Sequence, residues 1–233
     1  MNLVTINANA IKREYESAEA YKSLRTNIQF CGSDKKVLVI TSCTPNEGKS
    51  MVTLNLAASM ADAGKKVLMI DADLRKSTIM GRITVTESVS GLTHYLSRQA
   101  VLKEVICTTN IKNLFLILPG PVPPNPAELL GNHYFSSLLK AAREIYDYIL
   151  IDSPPLGSVI DSAIIAEESD GSILVIESGV ISYRFAQEVK GQLEKANCPI
   201  LGTILNKVDT QKQGYYSKYY GKYYGNYYGK AGE

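Results

Sequence analysis

The sequence predicts an α/β fold in which a mostly parallel central sheet is flanked by helices. Short apolar runs rich in β-branched residues alternate with helical patterns at the spacing of βαβ units. The run Val37–Ile40 turns through Pro45, Asn46 and Gly48 into Lys49-Ser50 and a helical pattern, the strand–loop–helix arrangement that cradles phosphate. Two further runs end in acid, one at Asp71-Ala72-Asp73 and one at Asp152, at the carboxyl ends where parallel sheets bind ligands.

In chain order, a helix is expected first over 17–30. Ala20, Leu24, Asn27 and Ile28 fall near one face, and Glu19, Lys22 and Arg25 form a ridge at three-residue spacing. Two readings of the ridge stand: a solvated face with a local ion pair, or a self-association surface. Next comes VLVITSCTPNEGKS, which meets the phosphate-loop pattern except at Cys43, where glycine is the rule. Cys43 reads as a small residue that fits the turn.

Thr44, Pro45, Asn46, Glu47, Gly48, Lys49, Ser50 and Met51 make the expected nucleotide cradle. Their backbone N–H groups converge on one anion, Lys49 adds a point charge on the β- and γ-phosphates, and the Ser50 hydroxyl ligates Mg²⁺. The following helix, Met51 to Ala63, presents Leu54, Leu56, Ala57, Ala58 and Met60 and is closed by Gly64. Val67–Ile70 is the second buried strand. Between residues 77 and 112 the pattern fades, apart from a short helix over 91–96.

A strand over 114–118 leads into GPVPPNPAELL, whose prolines impose a rigid, extended loop with a helix starting near Pro126. A helix over 134–144, a strand over 148–151, a strand over 171–177, a helix over 183–196 and a strand over 200–205 complete the alternation. The last strand ends at Asn206-Lys207-Val208-Asp209, which has the form of a guanine-reading motif. An asparagine there also serves adenine, so Asn206 is assigned to the nucleotide without choosing GTP.

Composition narrows the function. A chain of 233 residues, 45% hydrophobic and 21% charged, suits one globular α/β domain, expected over 1–212. A net charge of +2 makes no case for nucleic acid. Cys31, Cys43, Cys107 and Cys198 lack metal-ligand spacing and read as reduced thiols in the cytosol. No stretch approaches the roughly 18 apolar residues of a membrane span, and the N-terminus lacks a signal-peptide core. Residues 213–233 differ sharply. Eight of the 15 tyrosines stand there as Tyr215-Tyr216, Tyr219-Tyr220, Tyr223-Tyr224 and Tyr227-Tyr228, spaced by Gly, Lys, Ser and Asn, and this tail is expected to be disordered and exposed.

Phosphoryl transfer asks a protein for positioning and charge more than for covalent chemistry. Ser50 and Asp152 supply a two-sided hold on Mg²⁺. Asp71 and Asp73 exceed what that hold needs. They either cap a turn and pair with Arg75 and Lys76, or place one carboxylate at the outer shell of the metal and the other as base toward an incoming hydroxyl; the second reading is favoured.

CTPNEGKS, VLMIDADLRK and DYILIDSPP in that order, with PPNPAELL between and a tyrosine-rich tail, resemble the bacterial tyrosine kinases of capsule and exopolysaccharide synthesis, in their firmicute form as separate catalytic proteins. The resemblance runs from about Ala18 to the tail. It implies an ATP- and Mg²⁺-dependent kinase that phosphorylates tyrosines of its own tail and regulates polysaccharide synthesis and export. It implies Lys49 and Ser50 in the first nucleotide motif, Asp71 as base, and Asp73 and Asp152 at the waters of the metal. It further implies a ring of subunits joined through Glu19, Lys22 and Arg25, each tail entering the neighbour's site, with other protein-tyrosine substrates besides. A membrane adaptor would activate the kinase and hold it at the inner face of the cell membrane. Asn46 stands where relatives often carry glycine, and Lys22 where they carry arginine, which lysine does not replace in bidentate contacts. A rival of the same fold class is a positioning or partition ATPase, but such proteins carry an extra lysine early in the loop, and residues 42–47 contain none.

Overall fold

The computed structural model describes residues 2–11, 15–85 and 88–209. The tyrosine cluster Tyr215–Tyr228 and the whole of the tail expected over 213–233 lie outside the described residues. Among those described, nine strands form one sheet: β1 (Leu3–Ile6), β2 (Val37–Ser42), β3 (Val67–Asp71), β4 (Ile83–Val85), β5 (Ile106–Thr109), β6 (Leu114–Ile117), β7 (Tyr148–Asp152), β8 (Gly171–Glu177) and β9 (Ile200–Asn206). Their order is β4-β1-β5-β6-β3-β7-β2-β8-β9. From β6 to β9 every neighbouring pair is parallel; β5 runs antiparallel to β6, and β4 to β1.

The helices are α1 (Tyr15–Phe30), α2 (Lys49–Asp62), α3 (Leu92–Leu96), α4 (Leu102–Val105), α5 (Pro126–Leu130), α6 (His133–Arg143), α7 (Asp161–Glu167) and α8 (Tyr183–Lys195). The central strands are buried on both faces, which is why they read as continuous apolar runs. Alternation within them still sorts the two cores. Leu38, Ile40, Val67, Met69 and Leu150 meet Leu54, Leu56 and Met60 of α2 on one face. Val37, Val39, Leu68, Ile70, Ile149 and Ile151 meet Phe135, Leu138 and Leu139 of α6 on the other. Each such large side chain contributes roughly 1.5–3 kcal/mol by leaving water. Asn132 starts α6 by accepting the N–H of Tyr134 at 2.9 Å and of Phe135 at 3.3 Å.

Where the sequence pattern was clear, the elements stand within a few residues of expectation. The long stretch that faded holds β4, α3, α4 and β5, and β1 and α7 carried no sequence signal. These pieces are too short for a period to emerge, and pairing holds the strands: β1 lies parallel to β5 and antiparallel to β4.

The expected face of α1 needs correction. Ala20 and Asn27 are exposed, while Tyr21, Leu24 and Ile28 turn toward the core. The i, i+3, i+7 stripe therefore runs one residue later at its start. The ridge divides as well. Lys22 donates to Glu19 at 2.6 Å between exposed side chains, but Arg25 turns onto α2 and donates to the Ser59 carbonyl at 2.7 Å.

Candidate active site

The site forms where β2, β3 and β7 end side by side. Register pairs Asp71 with Asp152 across β3 and β7, and the Ala72 N–H donates to the Asp152 carbonyl at 2.8 Å. Both acids are the last residues of their strands, so the sheet delivers their carboxylates to the mouth of the phosphate loop.

Asn46 adopts φ 68° and Gly48 φ 91° within that loop. Asparagine tolerates the left-handed region better than most side chains, so Asn46 suits this turn. Gly48 has no substitute: a Cβ there would lie 2.2 Å from Asn206 Nδ2. It also caps α2 without a side chain, leaving the first amides of the helix open to an anion.

Lys49 is buried, with Nζ 3.3 Å from Asp73 Oδ2 and 3.4 Å from Ser50 Oγ. Burial works against its charge, but Asp152, Asp73 and Asp71 outweigh that and hold its pKa above the ordinary value. Burial drives Asp71 well above the usual carboxylate range, and the charge of Asp152 beside it adds to the effect. Burial likewise pushes Asp152 up to about 6, against the pull of Lys49 and the nearby Ser50 hydroxyl. No donor reaches hydrogen-bond geometry on either Asp152 carboxylate oxygen. A buried carboxylate with both oxygens unpartnered, next to a hydroxyl, is a donor set that fits a hard cation. Among the described residues no three His, Cys, Asp or Glu side chains cluster as a self-sufficient metal site. A cation held here would need further oxygens from phosphate and water, a coordination that suits Mg²⁺.

Other expected residues have local tasks. The Glu47 carboxylate is buried and spent: it accepts from the Thr44 N–H, from the Thr44 hydroxyl at 3.0 Å and from the Glu177 N–H at 2.8 Å. Of Glu47, only the backbone is left for a ligand. Asn206 Nδ2 donates to the Glu47 carbonyl at 2.8 Å, so this end of the amide braces the loop rather than facing a base. Asp73 does cap a turn, accepting the N–H of Lys76 at 2.9 Å, while its other oxygen faces Lys49. The turn-capping reading of Asp73 thus holds for one oxygen, and the other is engaged by the Lys49 ammonium.

Four residues take roles that the sequence reading did not assign them. Lys207 Nζ joins the Asn46 carbonyl at 2.7 Å to the Glu177 carboxylate at 2.9 Å, strapping the loop to the ends of β8 and β9. Arg75 forks onto Asp161 at 2.8 and 2.9 Å. Lys207 lay inside a motif already noticed; Glu177 and Asp161 carried no signal, because each acquires its role from a partner far along the chain. Cys43 is buried, as a small turn-filling residue should be.

Residues 35–195 match a protein family described as an AAA domain. The chain is 44% identical over 215 residues to the tyrosine-protein kinase CpsD of Streptococcus agalactiae serotype III (strain NEM316), covering 92% of this chain and 93% of that protein. The kinase domain of Escherichia coli tyrosine kinase ETK superposes with a TM-score of 0.78 at 36% identity, over 82% of this chain and 75% of that one. The septum site-determining protein MinD of Pyrococcus horikoshii OT3, solved with Mg-ADP, gives a TM-score of 0.63 at 25% identity, over 76% and 72% of the two chains.

Proposed function

The chain belongs to the bacterial capsular tyrosine-protein kinases, and from that membership we propose how its residues move a phosphoryl group from ATP to tyrosine. It is an ATP-dependent protein-tyrosine kinase of capsular polysaccharide synthesis. Amides from Gly48 to Met51 hold the phosphates, and the Lys49 ammonium lies against them. Ser50, Asp73 and Asp152 would hold Mg²⁺, which would supply neutralising charge at the phosphoryl oxygens. Asp71 accepts the proton of the tyrosyl hydroxyl as its oxygen bonds to phosphorus and ADP leaves. A carboxylate that burial has made more basic is suited to that task.

The acceptors are the tail tyrosines Tyr215, Tyr216, Tyr219, Tyr220, Tyr223, Tyr224, Tyr227 and Tyr228 of a neighbouring subunit in a ring. Glu19, Lys22 and Arg25 contribute to the ring contact, and other proteins offer further tyrosines. No helix among the described residues is long and apolar enough to cross a membrane. The kinase works in the cytoplasm at the inner face of the membrane, held and activated by a membrane adaptor. Each phosphate adds about −1.5 to −2 charges, so a phosphorylated tail is expelled from the neighbour's site and the ring loosens. Equal sedimentation of the phosphorylated and unphosphorylated chain contradicts that last step.

One observation carries the reading: Lys49, Asp71, Asp73 and Asp152, all buried, converge on the phosphate loop with Asp152 left unpartnered. The test is incubation of the full chain and of Lys49→Met with ATP and Mg²⁺, alone and with the cytoplasmic segment of the adaptor. Intact and peptide masses should show phosphate only on the wild type, mapped to Tyr215–Tyr228. ATP hydrolysis without tyrosine phosphate would favour the switch ATPase instead.

A further inference from the structure

Asp71 is held more closely than a strand-terminal acid needs. Its Oδ1 accepts the Asp73 N–H at 3.1 Å, and its Oδ2 accepts the Ser77 hydroxyl at 2.5 Å. The torsion that turns a carboxylate plane is broad and two-fold, so packing alone does not aim these oxygens; the donors do. The other charged groups around Asp71 include two acids, Asp152 on the adjacent strand and Asp73, which repel it and offer no proton. Ser77 is only partly buried and lies six positions on, in a segment with no regular structure.

That segment is itself fixed. Asp73 Oδ1 accepts the N–H groups of Arg75 at 3.3 Å and Lys76 at 2.9 Å, which coils the chain just before Ser77. The Arg75 guanidinium then forks onto Asp161, the fully buried first residue of α7. Helix α7 follows the loop that leaves Asp152, so this planar two-bond contact ties together the loops of the two acidic strands.

We propose that Ser77 is a positioning residue for tyrosine phosphorylation. Its hydroxyl sets the plane of the Asp71 carboxylate and so directs the remaining lone pairs toward the tyrosyl hydroxyl, and the Arg75–Asp161 fork holds Ser77 where it can do so. The inference rests on Asp71 being the base. It assigns no contact with substrate to Ser77 itself.

The test compares Ser77→Ala, Ser77→Thr and Asp71→Asn in the full chain, with ATP, Mg²⁺ and the adaptor's cytoplasmic segment. It reads kcat and the KM for ATP of tail phosphorylation, and the affinity for a fluorescent ADP. Ser77→Ala should lower kcat about ten- to hundred-fold, the worth of one hydrogen bond to a charged group, with KM and ADP affinity unchanged. Ser77→Thr, which keeps the hydroxyl, should recover most of kcat. Wild-type kcat in Ser77→Ala beside an inactive Asp71→Asn overturns the proposal and leaves the base assignment standing. An active Asp71→Asn removes the base assignment and the proposal with it. Matched losses of kcat and ADP affinity, or no recovery with threonine, make Ser77 merely structural and also overturn it.

Discussion

Asp152 and Asp170 are the same residue at opposite ends of one sheet, and the protein treats them oppositely. Asp170 sits at the amino end, just before β8. Its oxygens accept the N–H groups of Lys36 and Val37 at 2.9 and 2.8 Å and a two-pronged contact from Arg143 at 2.7 and 2.9 Å. Burial pushes its pKa up, but Arg143 and the two backbone donors outweigh that and hold it below the ordinary carboxylate range. Asp152, at the carboxyl end, is more deeply buried, has no donor on either oxygen, and is pushed up to about 6 by that burial. A carboxylate that holds the fold together is saturated with donors. Asp152 has its donors withheld, an arrangement that costs stability unless a ligand offsets it.

The sharpest way to break this comparison is to remove both charges in turn. Asp152→Asn should cut tail phosphorylation by about 100-fold or more, a loss typical of removing one electrostatic group from a phosphoryl-transfer site. Its urea midpoint should change little, because Asp152 has no hydrogen bond to lose and the buried Lys49 keeps Asp73 and Asp71 as neighbouring charges. A marked loss of stability would show that Asp152 is structural. Asp170→Asn should do the reverse, costing about 2 kcal/mol in urea unfolding with phosphorylation unchanged, since it weakens charge-assisted bonds far from the phosphate loop.

Acid sharpens the second half. A folded-state pKa below the unfolded one means that Asp170 contributes its stability in full above the unfolded carboxylate value of about 3.9, and loses it as pH falls through the folded value. The stability gap between wild type and Asp170→Asn should therefore be largest near about pH 7 and close toward about pH 3. A gap that widens in acid contradicts this. The smallest effect belongs to the strap: Asn206→Ala removes one hydrogen bond from the Glu47 carbonyl and should weaken ADP binding about three- to ten-fold, readable by fluorescence titration.

Much of this site was legible in the sequence, and the reason is local. The run Val37–Ile40, the turn residues after it and Lys49-Ser50 occupy adjacent positions, so strand, loop and helix start are set by neighbours along the chain. Val67–Ile70 before Asp71 and Tyr148–Ile151 before Asp152 are likewise apolar runs whose burial and terminal acid are read in place. Tertiary structure alone decided the rest. Pairing of β3 with β7 made Asp71 and Asp152 neighbours. Glu47 became a brace through the Glu177 N–H, 130 positions away, and Asn206 through the Glu47 carbonyl, 159 away. Arg75 chose Asp161, 86 positions on, over the acids beside it. A hydrogen bond depends on distance and angle in space, and no periodicity encodes which distant backbone group a side chain will meet. The sequence determined which residues stand at the ends of the strands; only the folded sheet decided which of them are satisfied by donors and which are not.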